Sequence, residues 1–288
     1  MGARIRIGNQ TALSAATMWA PFEFAVAQGF DAFEWFEDKK TNADGSIRGW
    51  DAAELNFSAR WAICDLGRNH DIRFSVHAPW DANPVSTGQI ERLRRSIDFA
   101  RDIGAGIVNL HLYLEQGVAA YVRAVLKLLP YAEKAGVRLT LENTPITAPE
   151  DVNATFREMR ALGGSSGSEV GLCLDIGHAY LCAATRRNFV AYFDALAGVP
   201  ISYLHVHENH GDADSHLPLF TGPAGSDDTD LRALLTRLLQ RGFTGAMILE
   251  QWPGNPAVLV ESRRRLLSLL SATQQAANCT PEHACSLA

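Results

Sequence analysis

The chain has 288 residues, 47% hydrophobic, 20% charged and 9% aromatic, with a formal net charge of -6. That composition excludes a disordered or fibrous chain and supplies apolar material for a large core. The acidic balance argues against a nucleic-acid partner and leaves a small anionic substrate open.

Eight short apolar runs alternate with longer stretches of helical period. The runs are Ile5–Gly8, Ala32–Phe36, Ile72–His77, Ile107–Leu112, Val137–Leu141, Val170–Leu174, Ile201–Val206 and Ala246–Leu249. Between them, Ile90, Leu93, Ile97 and Ala100 recur at helical spacing, as do Val118, Tyr121, Val122, Val125 and Leu129, and then Leu231, Leu234, Leu235, Leu238 and Leu239. Gly29, Gly104, Gly136 and Gly242 close helices before the next run, where a left-handed cap is favourable. The runs are apolar on both faces, as in a parallel sheet covered by helices. The pattern predicts an α/β protein with one domain, a (β/α)8 TIM barrel over residues 4–272. Gly163–Ser168 (GGSSGS) reads as a surface loop, and residues 273–288 as a flexible tail without apolar period.

Five dispersed cysteines do not form a disulfide framework; Cys279 and Cys285 lie in the tail, and their pairing is left open. The start MGARIRIGNQ has no apolar signal region, and no window of 18 apolar residues occurs, so a cytoplasmic protein without a membrane span is expected.

The polar residues cluster where the runs end, which is the face of a barrel that carries active sites. The third run ends on His77 and the fourth carries His111; Glu142 follows the fifth and Asp175 the sixth, with His178 just beyond. The seventh gives His205 and His207, then Asp214 and His216 in its loop, and the eighth ends on Glu250. Each alone has an ordinary structural explanation. Together, several buried carboxylates repel one another and lose solvation unless cations neutralise them. Mixed imidazole and carboxylate donors suit zinc, manganese or iron better than calcium.

In this order the segments SVHAP, VNLH, LENT, CLDIGHAY, HVHEN, DADSH and ILE resemble the xylose isomerase-like TIM barrels, the superfamily of endonuclease IV (AP endonuclease family 2) and of sugar phosphate isomerase/epimerase-like proteins. Resemblance to the endonuclease branch implies up to three zinc ions on His77, His111, Glu142, Asp175, His178, His205, Asp214, His216 and Glu250. Resemblance to the sugar isomerases implies one divalent metal, Mn2+ or another, on Glu142, Asp175, His205 and Glu250. Both sets are complete. The chain departs from the endonucleases at Glu208 within HVHEN, at ENTPI and at EQWP, and its Trp80–Gly88 loop has no Lys or Arg, so duplex DNA is a poor substrate. The Arg94–Arg95 and Arg263–Arg265 clusters fall on outer helices.

The favoured reading is a multinuclear zinc hydrolase of a small phosphoester. The alternative is a mononuclear sugar or sugar-phosphate isomerase/epimerase with Glu142 and Glu250 in proton transfer. A non-catalytic sugar-binding barrel is the third. Glu142, Glu250 and His178 are the expected catalytic residues; Trp80, His207 and Trp252, with Trp19 or Trp35 as further apolar walls, are expected to face a phosphorylated or polyhydroxylated small molecule.

Overall fold

A computed structural model describes residues 4–12 and 14–278. The barrel strands are β1 (Arg6–Gln10), β2 (Ala32–Phe36), β5 (Arg73–His77), β6 (Ile107–His111), β7 (Arg138–Glu142), β8 (Gly171–Asp175), β9 (Ile201–Val206) and β10 (Ala246–Leu249), with the hairpin β3 (Lys40–Thr41) and β4 (Ile47–Arg48) after β2. The helices are α1 (Trp19–Ala27), α2 (Phe57–Asn69), α3 (Gln89–Ile103), α4 (Val118–Leu126), α5 (Leu129–Ala135), α6 (Pro149–Ser168), α7 (Ile176–Leu181), α8 (Phe189–Asp194), α9 (Thr229–Gln240) and α10 (Ala257–Asn278). The eight barrel strands close, all parallel, in the order β1-β10-β9-β8-β7-β6-β5-β2.

Three of the expected runs coincide with strands. Elsewhere the ladder reaches polar residues that apolarity alone leaves out: Gln10, Glu142 and Asp175 each end a strand. Backbone pairing continues into the mouth, because its bonds are indifferent to side-chain polarity.

Side chains alternate across each strand, and β2 shows both outcomes. Phe33 and Trp35 point outward into the helix–sheet layer, where Trp35 meets Phe22, Trp50, Phe74 and Phe99 within 6.4 Å. Ala32 faces inward and packs with Cys173, Tyr203 and Ile248 in the barrel interior. Cys64, Cys173 and Cys182 are buried free thiols; Cys279 and Cys285 lie outside the described residues.

Two local readings change. Gly163–Ser168 is not a loop: the chain leaves helical geometry only at Gly164 (φ 54°, ψ -131°), a conformation glycine adopts without Cβ strain, and α6 is two helical stretches joined across that kink. The stretch from residue 273 is helical to Asn278, since alanine and glutamine keep the ladder going after the apolar period stops. The β3–β4 hairpin turns on Asp44, whose carboxylate accepts from Ser46 N at 2.9 Å, and on Gly45 at φ 79°.

Just after β2, Glu37 is buried against α3 and the 3-10 turn Ala52–Glu54, accepting from Ala52 N at 3.2 Å. Burial pushes its carboxyl up to about 7, although Ser96 and the Ala52 amide favour the ionised form. A carboxyl raised in the folded state stabilises fully below its unfolded value and loses that contribution as pH rises to about 7. Glu37→Gln should therefore be more stable than the parent at pH ~8, by on the order of 2–3 kcal/mol, with the gap closing near pH ~4.5. Urea titrations of both proteins at the two pH values would show it; a gap independent of pH contradicts the assignment.

Candidate metal centre

Strand parity builds the mouth. The residues His77 (β5), His111 (β6), Glu142 (β7), Asp175 (β8) and His205 (β9) end inward-facing rows, and His207 and Glu250 continue theirs just past β9 and β10. Glu142 is fully buried at the centre. Its Oε2 lies 3.2 Å from His77 Nε2 and 3.2 Å from His205 Nδ1, and its Oε1 is 3.5 Å from His111 Nε2 and 3.4 Å from His178 Nδ1. Asn109 Nδ2 also donates to Oε2, and Thr140 holds the Asn109 carbonyl at 2.8 Å.

The rings are oriented by their far nitrogens. Nδ1 of His77 faces Ala78 O at 2.6 Å, that of His178 faces Asn143 O at 2.8 Å, and that of His216 faces Glu250 O at 2.9 Å. Nδ1 of His111 lies 3.2 Å from Trp80 O. A carbonyl only accepts, so each Nδ1 carries the proton and Nε2 is left to the site. His178 and His216 both bring Nε2 to 3.1 Å from Asp214 Oδ2. Asp175 is placed by a reciprocal pair with Asn143 and caps α7 through His178 N at 2.7 Å.

His205 is turned the opposite way. Its Nε2 sits 2.7 Å from Glu34 Oε1, and Tyr203 OH donates to the other Glu34 oxygen at 2.7 Å. Sequence reasoning missed Glu34; the signal was available, a lone carboxylate at an inward position of the otherwise apolar AFEWF. Asn109 and Asn143 were missed too, because neutral amides inside a strand carry no chemical signature.

The donors fall into overlapping groups that could each hold an ion: His77, Glu142, His205 and Glu250; Glu142, Asp175 and His178; Asp175, His207 and Glu250; and His178, His207, Asp214 and His216. All nine residues of the expected ligand set are brought to this mouth. His207, expected to face substrate, lies within these groups, its Nε2 3.1 Å from Asp175 Oδ2 and its ring stacked on His216 at 4.1 Å. Glu142 Oε1, His205 Nδ1, His207 Nδ1 and Glu250 Oε2 are buried without a hydrogen-bond partner. His207 Nδ1 packs beside Gly177, but the other three meet at the centre, with His205 Nδ1 3.2 Å from Glu250 Oε2, and buried unpartnered oxygen and nitrogen donors so placed fit a metal ion.

A cavity of about 540 Å³ opens over these groups, walled by Trp80 and Trp252. Trp35 takes no part, being fully buried on the outer side of β2, and Trp19 packs edge-on against it at 5.8 Å.

The sequence matches the xylose isomerase-like TIM barrel family over residues 22–269. The chain belongs to that family. An uncharacterized protein of Methanocaldococcus jannaschii, MJ1311, is 25% identical over 236 residues, covering 69% of this chain and 76% of the relative. The fold is similar to that of a D-tagatose 3-epimerase-like protein (TM-score 0.70, 21% identity, 95% of this chain and 100% of the other). It is similar also to endonuclease IV from Thermus thermophilus (TM-score 0.65, 22% identity, 93% and 99%).

In this xylose isomerase-like barrel, the rim imidazoles and carboxylates shift one another's protonation. Burial lowers the His178 pKa, but Asp175, Asp214 and Glu142 outweigh it and push it up to about 10. His216 follows the same balance, burial opposed by Asp214 and Glu250, and reaches about 9. Burial raises the Asp214 carboxyl, yet the two imidazoles hold it far below the usual range. Imidazoles raised on folding stabilise fully below pH ~6.5 and lose that contribution as pH climbs through about 9 and 10. Chelator-treated protein should melt progressively lower between pH ~7 and ~10, more steeply than Asp214→Asn, and added zinc should cancel the difference. Parallel Tm profiles for the two proteins without metal would contradict the coupling.

Proposed function

We propose that this chain is a metal-dependent hydrolase of a small phosphoester, with more than one ion at the barrel mouth. One observation carries the reading: beyond the buried Glu142–Asp175–Glu250 groups, the rim holds a further group, His178, His207, Asp214 and His216. A single ion at Glu142 and Glu250 would leave these four donors without a metal to hold. Glu142, Asp175 and Glu250 each belong to more than one group and would be shared between ions. Zinc fits the nitrogen-rich donor set; when bound, such ions supply Lewis acidity to a phosphoryl oxygen and make water a nucleophile near neutral pH. The chain's own part is orientation. Main-chain carbonyls fix the imidazoles, Glu142 anchors four of them, and the two indoles exclude bulk water from the reacting ester.

A substrate of duplex DNA finds little support. The outer-helix arginines are engaged locally: Arg94 with Glu91 and the Tyr131 ring, Arg263 with Gly29 O and Phe30, Arg264 with Glu261, and Arg265 with Phe220. Among the described residues, no helix is long and apolar enough to cross a membrane.

A second reading has its own observation. Glu142 Oε2 and Glu250 Oε2 each lie 3.2 Å from His205 Nδ1, two carboxylates facing one point. With His205 itself and Asp175, whose Oδ2 is 3.8 Å from the same nitrogen, they make up the four ligands expected of a single ion, and the two glutamates would serve as proton acceptor and donor in ketose epimerisation, with His178 binding substrate oxygens.

Zinc-loaded protein should hydrolyse p-nitrophenyl phosphate or its bis-ester, lose the activity to chelator, and regain it with zinc. Glu142→Gln should lower turnover by roughly a hundredfold or more, and abasic duplex DNA should be cleaved poorly. Metal-dependent exchange of a ketose α-proton in deuterated water, abolished in Glu142→Gln or Glu250→Gln and without any ester hydrolysis, would replace this reading with the second.

A further inference from the structure

The end of the barrel away from the metal groups holds a cavity of about 1100 Å³. Its origin lies in the strand register. Residues of one inward layer come from alternate strands, and the pairings put Arg6 (β1), Arg73 (β5), Arg138 (β7) and Ile201 (β9) in the outermost layer at this end. The next layer is small apart from Ile107, being Ala32, Gly171 and Ala246. Short side chains beneath a ring of long ones leave this end hollow.

Arg6, Arg73, Arg138 and Arg241 line the cavity, and among the described residues no Asp, Glu or His does. Two of the four are engaged. Arg6 is buried, donates to Asp31 O at 3.1 Å and pairs with Asp71 at 3.0 Å. Arg241 lies over the Phe193 ring, 4.1 Å from its centre, with Nη2 3.4 Å from Leu196 O. Arg73 and Arg138 are exposed, and among the described residues neither has a hydrogen-bond or ion-pair partner. Arg73 contributes only its charge to Asp71, whose carboxyl is held down first by the hydrogen bond from Arg6. Asp31, the other acid nearby, is held by Arg4 at 3.0 Å. On the outer helices, by contrast, Arg101, Arg232 and Arg264 each meet a carboxylate within their own helix.

A concave site lined by one sign of charge focuses the field between its low-dielectric walls and concentrates counter-ions there. The floor does not compete for a ligand's polar groups. Ser75 Oγ and Tyr203 OH lie 2.6 Å apart, and Tyr203 OH donates onward to Glu34 Oε2 at 2.7 Å, so both hydroxyls are committed within the barrel. What remains unmet is a pair of guanidinium forks, whose planar donors match phosphate oxygens two at a time. They rise from β5 and β7, with β6 between them. Two strand spacings set their backbones about 10 Å apart, so a ligand with two separated anionic groups can engage both at once.

We propose that Arg73 and Arg138 form a second binding site, at the end of the barrel opposite the metal groups, for a compact small molecule carrying two phosphate groups. The site stands apart from the reaction at the mouth and does not depend on how many ions the mouth holds.

The test is calorimetric titration of the full chain at low salt with 2,3-bisphosphoglycerate and with inorganic phosphate, before and after removal of metal by chelator. The bisphosphate should bind about tenfold or more tightly than inorganic phosphate, and added salt should weaken it. Arg73→Gln and Arg138→Gln should each weaken it about tenfold, and this arginine-dependent binding should persist after chelation. Ligand-free Tm and metal content should stay at the parent values, because neither side chain has a partner to lose. Arg95→Gln, on the outer helix α3, should change nothing. Absence of binding, or an equal loss in Arg95→Gln, would overturn the site, the second by showing diffuse surface charge instead. Binding that disappears on chelation and is indifferent to Arg73→Gln and Arg138→Gln would place the ligand at the mouth and overturn it as well.

Discussion

A carboxylate with no exposed surface sits among four imidazoles at the mouth of this barrel, and the remaining geometry is arranged around it. Glu142 would be costly there as an isolated ion, since burial of an unpaired charge is among the larger penalties in folding. His205 and His111 offset the desolvation and hold it well below the usual carboxylate range. The imidazoles are fixed in turn by the main-chain carbonyls of Ala78, Trp80 and Asn143 and by Glu34. The site is thus tied to the positions of β2, β5, β6, β7 and β9 together, and a shift of one strand would disturb several donors at once.

The two ends of the barrel contrast. A larger cavity, about 1100 Å³, opens at the opposite end, where Arg6, Arg73 and Arg138 begin β1, β5 and β7. It contains no Asp, Glu or His among its described lining residues. The same strands run from arginine at one end to carboxylate, imidazole or carboxamide at the other, as Arg138–Glu142, Arg73–His77 and Arg6–Gln10 show. Strand parity keeps each pair on one side of its strand.

Much of this was readable in advance, for a physical reason. In a barrel, a polar residue at the end of an apolar run has one place to go, so the sequence alone assigns His77, Glu142, Asp175 and Glu250 to one rim. What escaped depended on partners distant in sequence. Glu34 acquires meaning only because His205 meets it across the barrel interior, and Asn109 because it donates to Glu142 on the adjacent strand. Spacing alone points His207 to the substrate, and it cannot tell how far past a strand end the chain keeps its inward parity, which also brings this ring among the donor groups. An indole near the mouth reads as a cavity wall, yet the position of Trp35 in β2 sends it to the helices. The glycine-rich end of α6 shows the limit of composition: a stretch that favours loops breaks the helix only at Gly164 and turns helical again after it.

How many ions the imidazole and carboxylate groups of the mouth hold is tested most directly by elemental analysis of protein purified without chelator, paired with anomalous scattering from crystals at the zinc edge. If the proposed multinuclear centre is right, more than one transition-metal ion per chain is expected, zinc foremost, with part of the metal lost and the Glu142–Glu250 region still occupied when Asp214 and His216 are replaced together. One fully occupied ion, unaffected by that double replacement, would contradict it.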